Sequence, residues 1–425
     1  MSDLGKHQGL EDHSARPRVQ DVRVGIVGAG IGGIASAAFL RRAGFSNVTI
    51  YEQASRLDEV GAGIQMAPNA TRLLQRLGLD RRLAQDGIEL QTGWELRRWQ
   101  DGHRLFSQPL GADCRRRFGA PYYVLHRARL IEALHGRLAA GTIVYGQRCL
   151  GARDDGEGVT LTFAGGGQAR FDLVIGADGI HSVVRPLIVD EAPPTFSGLV
   201  AYRCVVAADR APERTRRPVF TSWLGPGRHI VHYPLNQQGD VNVVAVAPAG
   251  AWRGESWAAE ASVDELADEF TGWEETTTTL LAGAASAFRF ALYDREPLTR
   301  FSAGRIGLLG DAAHPMLPFF AQGAGQAIED AAVLAGALAR RPQDATGALR
   351  DYEGARLQRA NRVQQLSRRS PERNHLPDGS EQRRRDDELA TIDPLAHQAW
   401  IYGHDAERDV RPAPDSVARR SPVVT

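Results

Sequence analysis

The chain of 425 residues is almost without lysine: Lys6 stands alone beside 50 arginines. That scarcity excludes chemistry that needs a buried amine, such as a Schiff base or a P-loop lysine. Cysteine is equally sparse. Cys114, Cys149 and Cys204 stand singly with no C-x-x-C pair, which argues against a zinc site or a disulfide framework and suits a reducing cytosol. An excess of one charge is missing too, since 51 basic residues face 51 acidic ones, so no nucleic acid is expected as a partner. Long hydrophobic runs are absent. The longest, Val24 to Leu40, has 17 residues, is thick with glycine and follows a charged leader, which is neither a membrane span nor a signal peptide. These absences predict a soluble, cytoplasmic protein with no membrane partner and no metal. The length, at roughly 150 residues per domain, implies two or three domains.

Residues 1–20 are polar and without periodicity and read as a disordered arm. The run Val22 to Val27 then reads as a buried strand, Ile31 to Ala43 switches to helical spacing, and Val48 to Tyr51 is a second strand. This βαβ unit implies a parallel sheet. Helices are expected at Ala70 to Leu77 and Ala128 to Ala139, and a hairpin over Glu89 to Leu110 around Asp101-Gly102. Phe171 to Ile175 and Arg305 to Leu309 are short apolar strands, each running into a glycine-acid pair. Between them lie β-type segments at Leu199 to Val206, Pro218 to Leu224, Arg228 to Leu235 and Asp240 to Ala247, which suggest an inserted, mostly antiparallel sheet. Gly323 to Arg340 and Ala348 to Arg368 read as long helices, and the chain beyond Pro371 as a short closing element with a loose tail.

Three motifs carry chemistry. Gly28-Ala29-Gly30-Ile31-Gly32-Gly33 lies between strand and helix, and Glu52 ends the next strand, 19 residues beyond Gly33. Gly28 permits the tight turn, Gly30 lets a pyrophosphate approach the helix N-terminus, Gly33 lets helix and sheet close, and Glu52 can accept a ribose hydroxyl. The second and third motifs, Gly176-Ala-Asp178-Gly179 and Gly310-Asp311-Ala-Ala-His314-Pro315, place a carboxylate just past a strand's carboxyl end, where open α/β sheets bind ligands. Asp178 and Asp311 could each be a helix N-cap. That reading alone leaves two similar glycine-acid signals unexplained.

Together, in this order, the motifs resemble the single-component FAD-dependent aromatic hydroxylases, the para-hydroxybenzoate hydroxylase fold, and most of all its salicylate hydroxylase and 3-hydroxybenzoate 6-hydroxylase type. The likeness spans about residues 22–370, and its most specific part is GDAAHPMLPFFAQGAGQAIEDAA, from Gly310 to Ala332. It implies an α/β fold with a Rossmann-like FAD-binding domain, an inserted, mostly antiparallel β-sheet substrate domain and C-terminal helices. The FAD-binding domain would take residues 21–88, 118–195 and 297–345, the substrate domain 89–117 and 196–296, and the closing helix and tail 346–425. By the same resemblance, Gly28, Gly30, Gly33 and Glu52 would hold the AMP half of FAD, and Arg127 would reach the flavin or pyrophosphate. Asp178 would support FAD and the nicotinamide path, and Asp311 the ribitol. Gly63 lies in the loop beside the flavin ring, and Gly323 and Gly325 in the loop facing its electron-rich edge.

The implied activity is monooxygenation of a phenolic, hydroxybenzoate-like ring with NADH or NADPH as cosubstrate and dioxygen as oxidant, through a flavin hydroperoxide. A homodimer is compatible with it. Period-two alternation puts His229 and Tyr233 on one face of their strand and His232 on the other, with the first two Cα atoms about 13 Å apart. The pair matches the histidine and tyrosine of salicylate and 3-hydroxybenzoate enzymes. His229 is expected as the phenol's base, because an imidazole titrates near neutrality. Arg203 and Arg228 are candidates for a substrate carboxylate by charge alone.

Two positions depart from the family pattern. Gly61 stands where para-hydroxybenzoate hydroxylase has an arginine, and Met316 to Phe320 is wholly apolar where 3-hydroxybenzoate enzymes are expected to be polar. The single lysine and the lack of W-x-W-x-I-P argue against a halogenase. Epoxidation or oxidative decarboxylation on the same fold, or a flavin-binding regulatory protein without turnover, are the alternatives.

Overall fold

The computed structural model describes residues 19–57, 63–189, 193–250 and 258–410. Most of the expected N-terminal arm, the end of the tail, Gly61 and Ala62 lie outside these residues. Strand Arg23–Val27 is buried from Val24 onward, as a central parallel strand must be. It pairs in parallel with Leu173–Gly176 on one side and Asn47–Tyr51 on the other. Ile306–Leu308 and Ile143–Val144 extend the sheet in the same direction, and Ser302–Ala303 adds an antiparallel edge. Helices Ile31–Arg42 and Gly323–Arg340 pack side by side over it.

The second sheet has eight strands, in the order 258–261, 287–294, 195–206, 241–248, 228–234, 219–225, 93–98 and 104–108. All its pairings are antiparallel except that of Val219–Gly225 with Gly93–Arg98. The early hairpin thus joins a sheet built mainly from residues a hundred positions later. One expected strand divides. Phe171 ends an antiparallel strand, Gln168–Phe171, and Leu173 begins the parallel one. The corner is held by the Asp172 carboxylate, which accepts from the Arg23 backbone N–H at 2.8 Å and from its guanidinium at 2.9 Å.

The C-terminal expectation needs correction. Helix Ala345–Asn374 runs through Pro371, and the expected loose tail forms helices Ser380–Thr391, Pro394–His397 and Ala399–Tyr402. Proline in the last turn forfeits one backbone bond, and the helix end is closed by the His375 N–H on the Pro371 carbonyl at 2.9 Å. A few apolar anchors suffice beyond it: Leu395, Ile401 and Tyr402 bury themselves with Leu110, Phe118 and Tyr122. Asp405 adds a two-pronged bond to Arg76 at 2.6 and 2.7 Å.

Between the two long helices lies a dry ionic cluster. Arg356, fully buried, donates to Glu329 at 2.6 Å, Asp330 at 2.7 Å and the Gln326 side chain at 2.8 Å. Burial alone would push both carboxyls upward, but Arg356 with Arg359 at Glu329, and His314 with Arg356 at Asp330, hold them below the usual range. The other Asp330 oxygen accepts the Gly310 N–H at 2.9 Å and meets His314 Nε2 at 2.6 Å, which sets the loop that carries Asp311. Replacing Arg356 with Ala is expected to cost roughly 3–5 kcal/mol, because buried Asp330 loses its guanidinium and buried Glu329 one of its two. Replacing Arg340, whose contact to Asp351 is 3.8 Å and exposed, should cost under about 1 kcal/mol. Urea unfolding of both variants measures the contrast, and similar small losses would show that the acids find other partners.

Candidate active site

A cavity of about 960 Å³ runs from the carboxyl edge of the parallel sheet to one face of the eight-stranded sheet. This is at the upper end of small-molecule sites, roughly 300–1,000 Å³. Its first half is built from strand ends. Gly28 has φ +100°, and a Cβ there would lie 2.5 Å from the Ala177 carbonyl oxygen. At Gly30 a Cβ would meet nothing within 4 Å, so the backbone itself faces the cavity. Helix Ile31–Arg42 starts at Gly30 without a side-chain cap, which leaves its first N–H groups for an anion. Helix Gly323–Arg340 is likewise uncapped, and Gly323 lines the cavity. The Glu52 carboxylate is tied to the glycine turn by a bond from Ala29 N at 2.8 Å, and its other oxygen accepts from Ala54 N, two residues on, at 2.9 Å.

Asp178 accepts from Val183 N, five residues on, at 2.8 Å through one oxygen and caps no helix, and its other oxygen is buried without a partner. Burial pushes this carboxyl upward. Asp311 opens onto the cavity yet is surrounded by protein, and burial raises it too, against the pull of His314 and Arg127. Arg127 opens helix Arg127–His135 and lines the same space.

Two expected contact residues stand behind the wall. At Gly33 a Cβ would lie 2.0 Å from the Gly28 carbonyl oxygen, so this glycine lets the helix close on the turn. Gly325 is buried as the third residue of its helix, where a Cβ would come 3.2 Å from Gln322 Oε1. Both shape the site through packing. His314 is fully buried on Asp330 and is also absent from the wall.

The second half is a floor of side chains from alternate positions. His229, Val231 and Tyr233 follow one another along strand Arg228–Pro234, all facing the cavity, while His232 points away toward Trp223. The register places Val231 between Val244 and Ser222, with Arg203 beyond Val244 and Leu96 beyond Ser222. Val246 flanks His229, and Asn242 flanks Tyr233. Asn242 also accepts the Gly63 N–H at 2.8 Å, which ties the expected flavin-side loop to the floor. Met316 to Phe320 forms the opposing apolar wall.

The charges divide sharply. Arg228 is spent on Glu269 at 2.8 Å. Arg203 faces the cavity, has a buried Nε without a partner, and is lowered by burial. The His229 imidazole is pulled down to about 3 by burial, with a smaller push from His375, and is neutral at pH 7. Burial raises the Tyr233 hydroxyl.

Sequence reasoning reached Arg203 by charge alone, without telling it from Arg228, and missed His375. Arg203 had a signal, as the one charged residue on the inward face of a strand otherwise apolar from Leu199 to Val206. His375 had none.

The first half fits FAD: a glycine cradle for the pyrophosphate, Glu52 for the adenosine ribose, an orphaned oxygen on Asp178 and an open carboxylate at Asp311. Replacing Asp311 with Ala should lower FAD affinity by roughly 1.5–3 kcal/mol, the worth of a hydrogen bond to a charged group. Flavin retention on dilution measures it, and unchanged retention would remove Asp311 from the FAD site.

Comparison with known proteins agrees with this geometry. The FAD binding domain family matches residues 21–367. A 3-amino-4-hydroxybenzoate 2-monooxygenase of Streptomyces platensis is 43% identical over 90% of this chain and 96% of its own length. Another, from Streptomyces cremeus, is 41% identical over 91% and 96%. Among solved structures, a salicylate hydroxylase substrate complex superposes with a TM-score of 0.78 at 30% identity, covering 92% of this chain and 98% of the other. With strand-end glycines and carboxylates that fit FAD and an apolar floor beside them, the chain belongs to the FAD binding domain family and, within it, to the FAD-dependent aromatic monooxygenases that use NAD(P)H as cosubstrate.

Proposed function

We propose that the substrate is a carboxylated aminophenol, of which 3-amino-4-hydroxybenzoate is the type, and that the ring is hydroxylated between its carboxylate and its amino group. The observation that carries this reading is the pairing of Arg203 with His229 on one apolar floor. A guanidinium suits a carboxylate. The neutral His229 suits a ring substituent that must lose a proton. Two relatives at 41–43% identity bear the name of that reaction. Benzoate chemistry adds a constraint: the carbon between carboxylate and amine is ortho to the nitrogen and meta to the hydroxyl. The nitrogen lone pair therefore makes that carbon nucleophilic. The amine has to be neutral, which the apolar floor favours; the nitrogen gives up an N–H proton as the carbon takes oxygen, and as aromaticity returns the ring C–H proton is lost and the nitrogen regains one.

FAD, when bound and reduced by NAD(P)H, supplies the activated oxygen. The chain's own residues do the rest. Arg203 orients the carboxylate, Val231 and Val244 carry the ring, His229 takes the proton, and the wall from Met316 to Phe320 excludes water that would divert oxygen to hydrogen peroxide. Tyr233, held high by burial, stays protonated as a hydrogen-bond donor. We assign the protein to the cytoplasm, on the support of its three buried, unpaired cysteines.

Coupled NADH oxidation with 3-amino-4-hydroxybenzoate, 4-hydroxybenzoate, 3-hydroxybenzoate, salicylate and 2-aminophenol tests the reading. The first should yield hydroxylated product. 4-Hydroxybenzoate should bind but release peroxide, and equal coupling with it would overturn the role of the amine. Arg203→Gln should weaken binding of the carboxylated aminophenol by about 2–5 kcal/mol, as for truncating a buried charge pair, and leave 2-aminophenol unaffected. His229→Ala should slow hydroxylation by roughly 10²- to 10⁴-fold with flavin binding intact. A parent-level ratio of product to peroxide would remove His229 from the chemistry.

A further inference from the structure

A buried imidazole that accepts a proton becomes a buried cation, and the same burial that keeps His229 neutral opposes that charge. The proton needs somewhere to go. His375 stands at the end of helix Ala345–Asn374, and its Nε2 lies 2.6 Å from His229 Nδ1. The ring centroids are 4.9 Å apart at 35°. His375 is pinned on both sides of its backbone: its N–H donates to the Pro371 carbonyl at 2.9 Å, and its own carbonyl accepts from Gly227 N at 3.0 Å. Gly227 directly precedes the strand that carries His229. Phe319 packs edge-on against both rings at 5.4 and 6.3 Å.

The contact leaves His229 Nε2 as the nitrogen for a ligand. His229 is only 4% exposed and lines the cavity, whereas His375 is partly exposed and stands behind it, off the cavity wall. Burial draws His375 down to about 4, so both rings are neutral at pH 7 and share one N–H···N bond. Among the described residues the nearby charges are engaged elsewhere. Arg228 is on Glu269 at 2.8 Å, and Arg373 is on Glu388 at 3.0 Å.

We propose that His229 and His375 form a two-imidazole wire that moves the proton from the substrate's ring substituent to the protein surface, a reading that rests on His229 being the base. The substituent's N–H or O–H bond breaks and a bond to His229 Nε2 forms. His229 Nδ1 passes its proton to His375 Nε2, and His375 Nδ1 releases one to water. No electrons are exchanged, and one proton leaves the cavity. The reverse passage, when the product regains a proton, restores both tautomers. His375 touches no substrate and acts only through His229.

The test compares His375→Gln and His375→Ala with the parent holoenzyme, on whichever ring of the panel the parent hydroxylates best. A different substrate would therefore leave this test standing. Glutamine can keep a hydrogen bond to His229 but cannot relay a proton. Both variants should retain FAD and bind substrate within twofold of the parent, and both should slow hydroxylation by roughly 10²-fold, the lower end of general-base losses. Added imidazole should restore a measurable part of the rate in His375→Ala and none in His375→Gln. A parent rate in His375→Gln would overturn the wire and leave His375 as a hydrogen-bonded support. Loss in His229→Ala without loss in His375→Gln would keep the base and discard the wire. A parent rate in His229→Ala would discard both. If His375→Ala fails to fold, His375→Gln with a solvent isotope measurement decides: an enlarged isotope effect supports the wire, and an unchanged one at parent rate rejects it.

Discussion

Arg356 carries its charge into a space that water does not reach, and the arrangement of both ligand-facing edges follows from how that charge is met. Glu329 and Asp330 are successive residues of one helix, and Arg356 from the facing helix engages both. Moving a guanidinium and two carboxylates out of water is costly unless their geometry is nearly fully satisfied. Here it is, with Arg359, Asn69, Gln326, His314 and the Gly310 N–H taking up the remaining valences. The cluster leaves little freedom for sliding between the two helices. Since Asp330 holds Gly310 and His314, the loop between them is fixed in the same act.

The same helix then acts twice more. Gln364 donates to the Pro315 carbonyl at 2.9 Å and the Ser367 hydroxyl to the Leu317 carbonyl, so the apolar wall of the cavity is hung from it. At its end it delivers His375 to His229. One helix of 30 residues, about 45 Å long at 1.5 Å per residue, thus links the loop from Gly310 to His314, the apolar wall and the imidazole pair. Ala321, the only non-glycine residue with positive φ among the described residues, sits where that wall feeds into the next helix. Strain of this kind costs about 1–3 kcal/mol and persists only where the surroundings dictate it.

What could be read in the sequence was local. The glycine turn, Glu52 and the two glycine-acid pairs were legible because each motif does its work within a few residues of a strand end. The shared face of His229 and Tyr233 followed from alternation alone. Gly33 closes helix on turn, as its place in the motif implies, whereas for Gly325 the pattern does not distinguish a glycine that touches a ligand from one that packs inside a helix. Charge alone could not separate Arg203 from Arg228, since most arginines are solvated, and only the sheet register shows where Arg203 faces. The helices beyond Pro371 were hidden by their composition. Their charge is met by partners such as Arg76 and Arg117 far earlier in the chain, and their apolar anchors are too few to make a periodic signal. His375 belongs to no pattern of its own and gains meaning only from a contact.

The contacts that finish the cavity bridge long stretches of chain. His229 and His375 are 146 residues apart, Gly63 and Asn242 179, and Asn69 and Glu329 260. Such pairings form late, since each must first close a long loop. During synthesis the glycine turn and its βαβ unit emerge early, but the ionic cluster cannot assemble before Arg356 leaves the ribosome, nor the imidazole pair before His375. The nascent chain therefore has its nucleotide cradle long before it has a dry place for oxygen chemistry. The order of emergence itself delays the reactive half of the cavity until residue 375 has been made.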